Sequence, residues 1–217
     1  LKTGEISIGI CGAGFIMARH NVVRKIKNRT TIILVMLLIS IMVSWVIWGN
    51  LSVETTKLTV TSKDLPEAFD KFSIAHISDL HNAEYGKNNE KLIDILEAES
   101  PNIIAITGDL IDSNHTDLEV ALSFAQQAVK IAPCYFVTGN HEAWIGSQYE
   151  ELKTSLQNTG ITVLQDEAIE LNYGDVCIQL IGLNDPDFSE RDRLLSESIL
   201  EVKLSQVNIS DGFTILL

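Results

Sequence analysis

Three short apolar runs in this chain each end in polar side chains of metal-ligand type, and that pattern restricts the fold more than any other feature. Residues 74–81 read Ile-Ala-His-Ile-Ser-Asp-Leu-His, closing on Asp79 and His81. Residues 103–107 run into Gly108-Asp109, and residues 134–138 into Gly139-Asn140-His141-Glu142. The intervening segments carry a helical period. Leu92, Ile95 and Leu96 share one face of residues 87–99, and Leu118, Ala121, Leu122, Ala125 and Val129 share one face of residues 117–130. Residues 148–158 continue the pattern through Tyr149, Leu152 and Leu156. Strands at 72–77, 103–107 and 134–138, alternating with helices of this length, predict a parallel sheet with right-handed crossovers.

Further along, residues 161–164, 168–171 and 176–183 are separated only by short turns, which predicts antiparallel strands. Residues 189–204 read as a helix with Leu194, Leu195, Ile199 and Leu200 on its apolar side. The last apolar run, 213–217, reads as another strand, and a strand reaching the final residue is expected of a truncated sequence. Upstream of the sheet, alternation at Leu58-Thr59-Val60-Thr61 predicts a short strand, followed by a turn near Pro66.

The N-terminal quarter is of another kind. Arg19, Arg24, Lys25, Lys27 and Arg29 precede an uncharged stretch from residue 30 to 53. Its apolar heart, 32–48, would span about 26 Å as a helix, and with its flanks it reaches the roughly 20 residues a bilayer requires. Trp45 and Trp48 fit an interfacial belt at the far end. No Ala-x-Ala site follows the long apolar run, so an uncleaved signal anchor is expected over residues 30–51 rather than a cleaved leader. Positive charge upstream predicts a cytoplasmic stub over residues 1–29 and an extracytoplasmic domain over residues 52–217. Met17 directly precedes the basic segment, so translation is expected to begin there, with residues 1–16 as read-through. The cluster Gly9-x-x-Gly12-x-Gly14 superficially resembles a phosphate loop, but no helix with a clear apolar face follows it, and it carries no functional expectation.

Charge sharpens the division. Residues before Asn50 carry a formal +5, while the remainder carries −18 of the total −13. An acidic surplus of that size argues against nucleic-acid backbone binding, which rests on Lys and Arg. Three cysteines, at 11, 134 and 177, form no framework and no zinc-type pair. Cys134 and Cys177 lie in apolar runs and are expected to be buried, inert thiols. Any metal must therefore use oxygen and imidazole.

In an open parallel sheet the carboxyl ends of the strands share one edge, and ligands bind there. Asp79, His81, Asp109, Asn140 and His141 all fall within a few residues of such an end. One Asp at a strand end is ordinary, because Asp serves turns and caps the following helix. Asp, His and Asn at three successive ends offer hard oxygen and imidazole nitrogen, a set that suits manganese, zinc or iron. Two cations about 3.5–4 Å apart need a shared anionic ligand, which a carboxylate such as Asp109 can be. A hydroxide between them would attack a phosphorus in line, and a neighbouring imidazole, His141, can protonate the departing oxygen.

Ser-Asp79-Leu-His81, Gly108-Asp109-Leu-Ile-Asp112 and Gly139-Asn140-His141-Glu142 resemble the first three signature blocks of the calcineurin-like metallophosphoesterases. The resemblance covers about residues 72–217, and the preceding anchor is similar to that of cell-envelope members. It implies an α/β fold, a layered sandwich of mixed β-sheets flanked by helices, here preceded by one transmembrane helix. It also implies that Asp79 and His81 ligate one metal, that Asp109 bridges two divalent ions, that Asn140 ligates the second, and that His141 faces the leaving group. The implied partner is a phosphate-ester substrate (mono-, di- or pyrophosphate), with a lipid-linked or cell-wall phosphate expected from the anchor. The family's later His and Gly-His-x-His blocks do not occur in residues 1–217, so this segment alone is not expected to turn over substrate. A catalytically degenerate binding protein with the same fold is the competing expectation. A nucleotide- or flavin-binding domain would need a glycine-rich loop after the first strand, where Asp79-Leu-His81-Asn82 stands instead.

Other polar residues are weighed less. His76 should alternate to the face opposite Asp79 and sit in the core or behind the site. His115 reads as a loop histidine, and His20 lies across the membrane. Asp112 and Glu142 can orient ligands; Asp185 and Asp187 read as rim carboxylates or turn residues. None of these is counted in the site.

Overall fold

The structure, a computed structural model, describes residues 13–189 and 199–217. Most of the glycine cluster at 9–14 lies outside the described residues, as do Leu194 and Leu195 of the expected 189–204 helix. The chain divides into two compact units, Leu1–Ser52 and Val53–Leu217.

The described part of the first unit is one helix, α1 (Ala13–Leu51). Within it, Arg29–Gly49 is 21 residues long with a mean hydropathy of 2.6, and none of that window is buried against protein. By length and composition it can cross a bilayer. Trp45 and Trp48 lie exposed near its end.

The second unit begins with an extended segment. Residues 53–62 form no regular structure, and Leu58 and Val60 are almost fully exposed, so the strand expected at 58–61 is absent. Alternation alone gives no ladder where no second strand lies alongside.

From β1 (Ile74–Ile77) the strand–helix alternation is realised, through α2 (Glu90–Glu99), β2 (Ile103–Thr107), α3 (Leu118–Ala128) and β3 (Cys134–Val137). The short α4 (Asn140–Trp144), then α5 (Gln148–Thr159) and β4 (Thr162–Val163), complete this part. β1, β2, β3 and β4 lie side by side in that order, every pair parallel. Residues 161–164 thus join the first sheet as a fourth parallel strand, and the expected antiparallel placement is corrected. The twelve-residue α5 supplies the crossover that a parallel return to β3 requires.

β5 (Glu167–Tyr173), β6 (Val176–Gly182) and β7 (Thr214–Leu216) form a second sheet, antiparallel between β5 and β6 and parallel between β6 and β7. Before β7 comes α6 (Ile199–Gln206), the described part of the expected late helix. The mixed second sheet and the parallel first sheet make the expected layered α/β sandwich.

Two apolar cores separate three layers. Ile104, Ile106, Phe136 and Val163 pack with Phe124, Leu152 and Leu156, burying the inner faces of α3 and α5 on the first sheet. Ile103, Val137 and Leu164 meet Leu171, Ile178 and Leu180 between the sheets. Each such side chain contributes about 1.5–3 kcal/mol on leaving water. β2 is therefore covered on both faces, as its unbroken Ile-Ile-Ala-Ile run requires. Two smaller expectations are corrected. His76 is exposed, its Nε2 2.6 Å from Thr107 Oγ1, because β1 is an edge strand. Cys177 is exposed because it stands near the turn of the β5–β6 hairpin, whereas Cys134 is buried.

Candidate metal centre

The loops leaving β1 and β2 are built from backbone that L-residues seldom adopt. Asp79, His81, Asn82 and Asp109 all have positive φ, at 54°, 46°, 57° and 50°. Such residues cost about 1–3 kcal/mol each and persist only where their surroundings fix them. Here the two loops are laced together: Asp79 N–H donates to Gly108 O at 3.2 Å, His81 N–H to Asp109 O at 2.8 Å, and Asn82 N–H to Leu110 O at 3.2 Å. The Asn82 side chain extends the lacing, its Oδ1 accepting from Asp112 N–H at 2.7 Å while its Nδ2 donates to Asp117 O.

The third loop is cinched to the second by Glu142. This carboxylate is fully buried on α4, and it accepts from the backbone N–H of Asp109, Leu110, Ile111 and Gly139 at 2.7–3.3 Å. Burial pushes its carboxyl upward from the usual range, and the hydrogen bonds from Gly139, Asp109 and Ile111 oppose that rise. Glycine at 108 and 139 permits the contact. Gly108 has φ +81°, and a Cβ there would overlap the Gly139 backbone. A Cβ at Gly139 would fall 2.7 Å from Asp109 N and 2.8 Å from Asp109 Cγ.

These constraints bring three side chains to one point. The donor atoms of His81, Asp109 and His141 lie within 4.8 Å of one another. His81 Nε2 stands 3.8 Å from Asp109 Oδ2 and 3.8 Å from Asp79 Oδ1. Asp109 is buried and oriented, its Oδ1 accepting from His141 N–H at 2.9 Å. The spacing of 3.8 Å is too long for a hydrogen bond. His81 Nδ1 is buried without a hydrogen-bond partner among the described residues. At the rim, the ion pairs among described residues join carboxylate to histidine alone: Asp79 and Asp109 to His81, and Asp112 to His115 and His141. A hard oxygen and imidazole donor set without a basic counter-ion fits a divalent cation. Asp79 is the most open of the group, its side chain 67% exposed. Asn140 opens α4 at the same edge.

His141 is held by a different contact. Its Nδ1 accepts from Ser113 N–H at 2.9 Å, its ring packs 4.4 Å from that of His81, and Trp144 lies 5.0 Å away on its other side. Asp112 sits 3.5 Å from the same Nδ1, its carboxyl held below the usual range by the Asn114 backbone N–H. A fourth segment arrives from the second sheet. Leaving β6, Asp185 N–H donates to Thr138 Oγ1, which in turn donates to Asn184 Oδ1, both at 3.1 Å. Burial raises the Asp185 carboxyl. Asn184 N–H donates to Asp166, which the buried Lys203 grips at 2.8 and 2.9 Å.

Glu142, Asn82 and the Thr138–Asn184–Asp185 link do not belong to the expected site residues. Glu142 had a sequence signal: a Glu at the third position of a helix can reach back to the N–H of the residue that precedes it, one half of a capping box. The Asn82 and Asn184 links depend on contacts across 30 and 46 positions of chain and have no local signal.

Carboxylates and imidazoles are grouped at the carboxyl edge of a parallel sheet, in a layered α/β sandwich, where they could hold a metal ion. The chain belongs to the calcineurin-like phosphoesterase family, whose sequence model matches residues 72–211. It is 28% identical over 137 residues to the uncharacterized metallophosphoesterase YkoQ of Bacillus subtilis (strain 168), covering 61% of this chain and 50% of that protein. An uncharacterized metallophosphoesterase of Aquifex aeolicus (strain VF5) is 29% identical over 136 residues, covering 60% and 49%. The uncharacterized metallophosphoesterase YkuE of Bacillus subtilis (strain 168) is 26% identical over 164 residues, covering 70% and 56%. The chain thus spans about half the length of these curated relatives. Family and donor set together support metal-dependent hydrolysis of a phosphoester.

Proposed function

We propose that this chain is the anchored part of a membrane phosphoesterase that hydrolyses a mono-, di- or pyrophosphate ester outside the cytoplasm. The approach of Asp79, His81 and Asp109 to one point with His141 beside them, in a chain of this family, carries the reading. Asp79 and His81 would hold one divalent cation, Asp109 would be common to both, and Asn140 would serve the second. When bound, the cations (manganese, zinc or iron) supply Lewis acidity to the phosphoryl oxygens and acidify the attacking water.

The remaining work falls to the chain's own groups. Glu142 fixes the Asp109 backbone and the His141 N–H fixes its carboxylate, so the shared ligand needs no rearrangement. His141 faces the leaving group. Its Nδ1 accepts a hydrogen bond from Ser113, so the neutral ring carries its proton on Nε2. A ring in that tautomer is a donor to the departing oxygen rather than a neutral ligand through Nε2.

The basic residues at 19–29, ahead of the apolar run, favour a cytoplasmic N-terminus, with residues 30–51 as anchor and 52–217 outside. A substrate held at the membrane, lipid-linked or part of the cell wall, suits that placement. Loading the full-length protein with Mn2+, Zn2+ or Fe2+ and assaying a monoester, a diester and a pyrophosphate tests the reading. At least one is hydrolysed, with activity lost to a chelator and restored by metal. Inertness toward all three under every metal contradicts it.

A further inference from the structure

Trp144 is an unusual residue to leave on a surface. Its side chain is large and apolar, yet it is 57% exposed on α4, one helical turn beyond Asn140. Its polar edge is occupied, the indole Nε1–H donating to Asp187 Oδ2 at 2.7 Å. Asp187 is itself fixed, because its backbone N–H donates to Asp185 Oδ1 at 2.8 Å and the adjacent Phe188 ring packs 4.7 Å from Tyr149. The indole is therefore held in one orientation, with its centroid 5.0 Å from the His141 ring. Aromatic rings pair at centroid separations of about 4.5–7 Å. If His141 faces the leaving group as proposed, that group departs on the side where the indole stands. A pre-oriented aromatic face binds without the cost of ordering itself.

We propose that Trp144 determines specificity, stacking against a ring carried by the leaving group. The favoured substrates are phosphate esters of ring-bearing alcohols, whether nucleoside, sugar or aryl, over short alkyl esters. Asp187 and Asp185 beside the indole select against a second anionic group on that ring. This inference rests on the proposed phosphoesterase site.

The test uses non-hydrolysable phosphonates and reads binding instead of turnover. Calorimetric titration of Mn2+-loaded full-length protein compares phenylphosphonate, cyclohexylphosphonate and methylphosphonate. Stacking on one aromatic side chain is worth about five- to hundredfold in affinity. Phenylphosphonate is expected to bind about tenfold tighter than methylphosphonate, Trp144→Ala to erase that ratio, and Trp144→Phe to keep most of it. Cyclohexylphosphonate falling with phenylphosphonate marks a sugar-like ring as acceptable; its binding like methylphosphonate restricts the class to flat rings. Equal binding of the ring and methyl compounds, or a ratio that survives in Trp144→Ala, overturns the role of Trp144 and leaves the metal site standing. Failure of all three phosphonates and of inorganic phosphate to bind overturns both.

Discussion

Glu142 accepts a hydrogen bond from the backbone N–H of Asp109 at 2.8 Å, across thirty-three positions of chain. The same carboxylate takes N–H groups from Leu110, Ile111 and Gly139, so one buried side chain holds the loops after β2 and β3 together. Removing it leaves buried donors unsatisfied, at about 1–3 kcal/mol for each that water cannot reach. Glu142→Ala is expected to lower stability by about 3 kcal/mol or more, and the Tm by roughly 6–12 °C. Glu142→Gln, which keeps one acceptor oxygen, should lose about half as much. Thermal unfolding followed by near-ultraviolet circular dichroism measures both, and unchanged melting in Glu142→Ala would deny the clasp.

Gly139 is required for space and not for its backbone angle, since its φ is −101°. A Cβ there meets the Asp109 backbone and carboxylate. Gly139→Ala should displace Asp109 at a cost of about 1–3 kcal/mol and release bound metal. Metal analysis of the purified variant checks this, and full metal content would show that the loop yields without moving Asp109.

What the sequence disclosed and what it concealed divide along the range of the interactions. β2 was legible because a strand buried on both faces must be apolar throughout, and Ile103–Thr107 is. α3 and α5 were legible because one face of each is covered and the other is wet. Residues 161–164 were misassigned because a two-residue strand carries no periodicity, and its parallel partner β3 is a helix away. The strand expected at 58–61 had the alternation but no neighbour. The approach of Asp79, Asp109 and His141 to one edge followed from topology alone. The Trp144–Asp187 bond and the Lys203–Asp166 pair join segments that only the two-sheet packing brings near.

His141 offers a second division. If its Nε2–H serves the leaving group, His141→Ala lowers kcat about 10²–10⁴-fold while metal content stays within about twofold. Kinetics and metal analysis on the same preparation decide the point. Parallel loss of both would assign the ring to the metal.

The two described cysteines should behave oppositely. Burial pushes the Cys134 thiol up to about 12, which leaves almost no thiolate at neutral pH. Cys177 is exposed on β6. Iodoacetamide treatment of the native protein at pH 8, followed by peptide mass mapping, should find Cys177 labelled and Cys134 untouched until the protein is unfolded. Native labelling of Cys134 would contradict the packing of β3.

Metal stoichiometry decides whether Asp109 holds cations shared between three strand ends. Full-length protein and Asp109→Asn, purified side by side and equilibrated with Mn2+, are compared by plasma mass spectrometry, with circular dichroism confirming equal folding. The account predicts about two ions per chain for the parent, a drop of at least tenfold in affinity for the variant, and near-complete loss of phosphoester turnover. A folded Asp109→Asn that keeps the parent's metal content would contradict it.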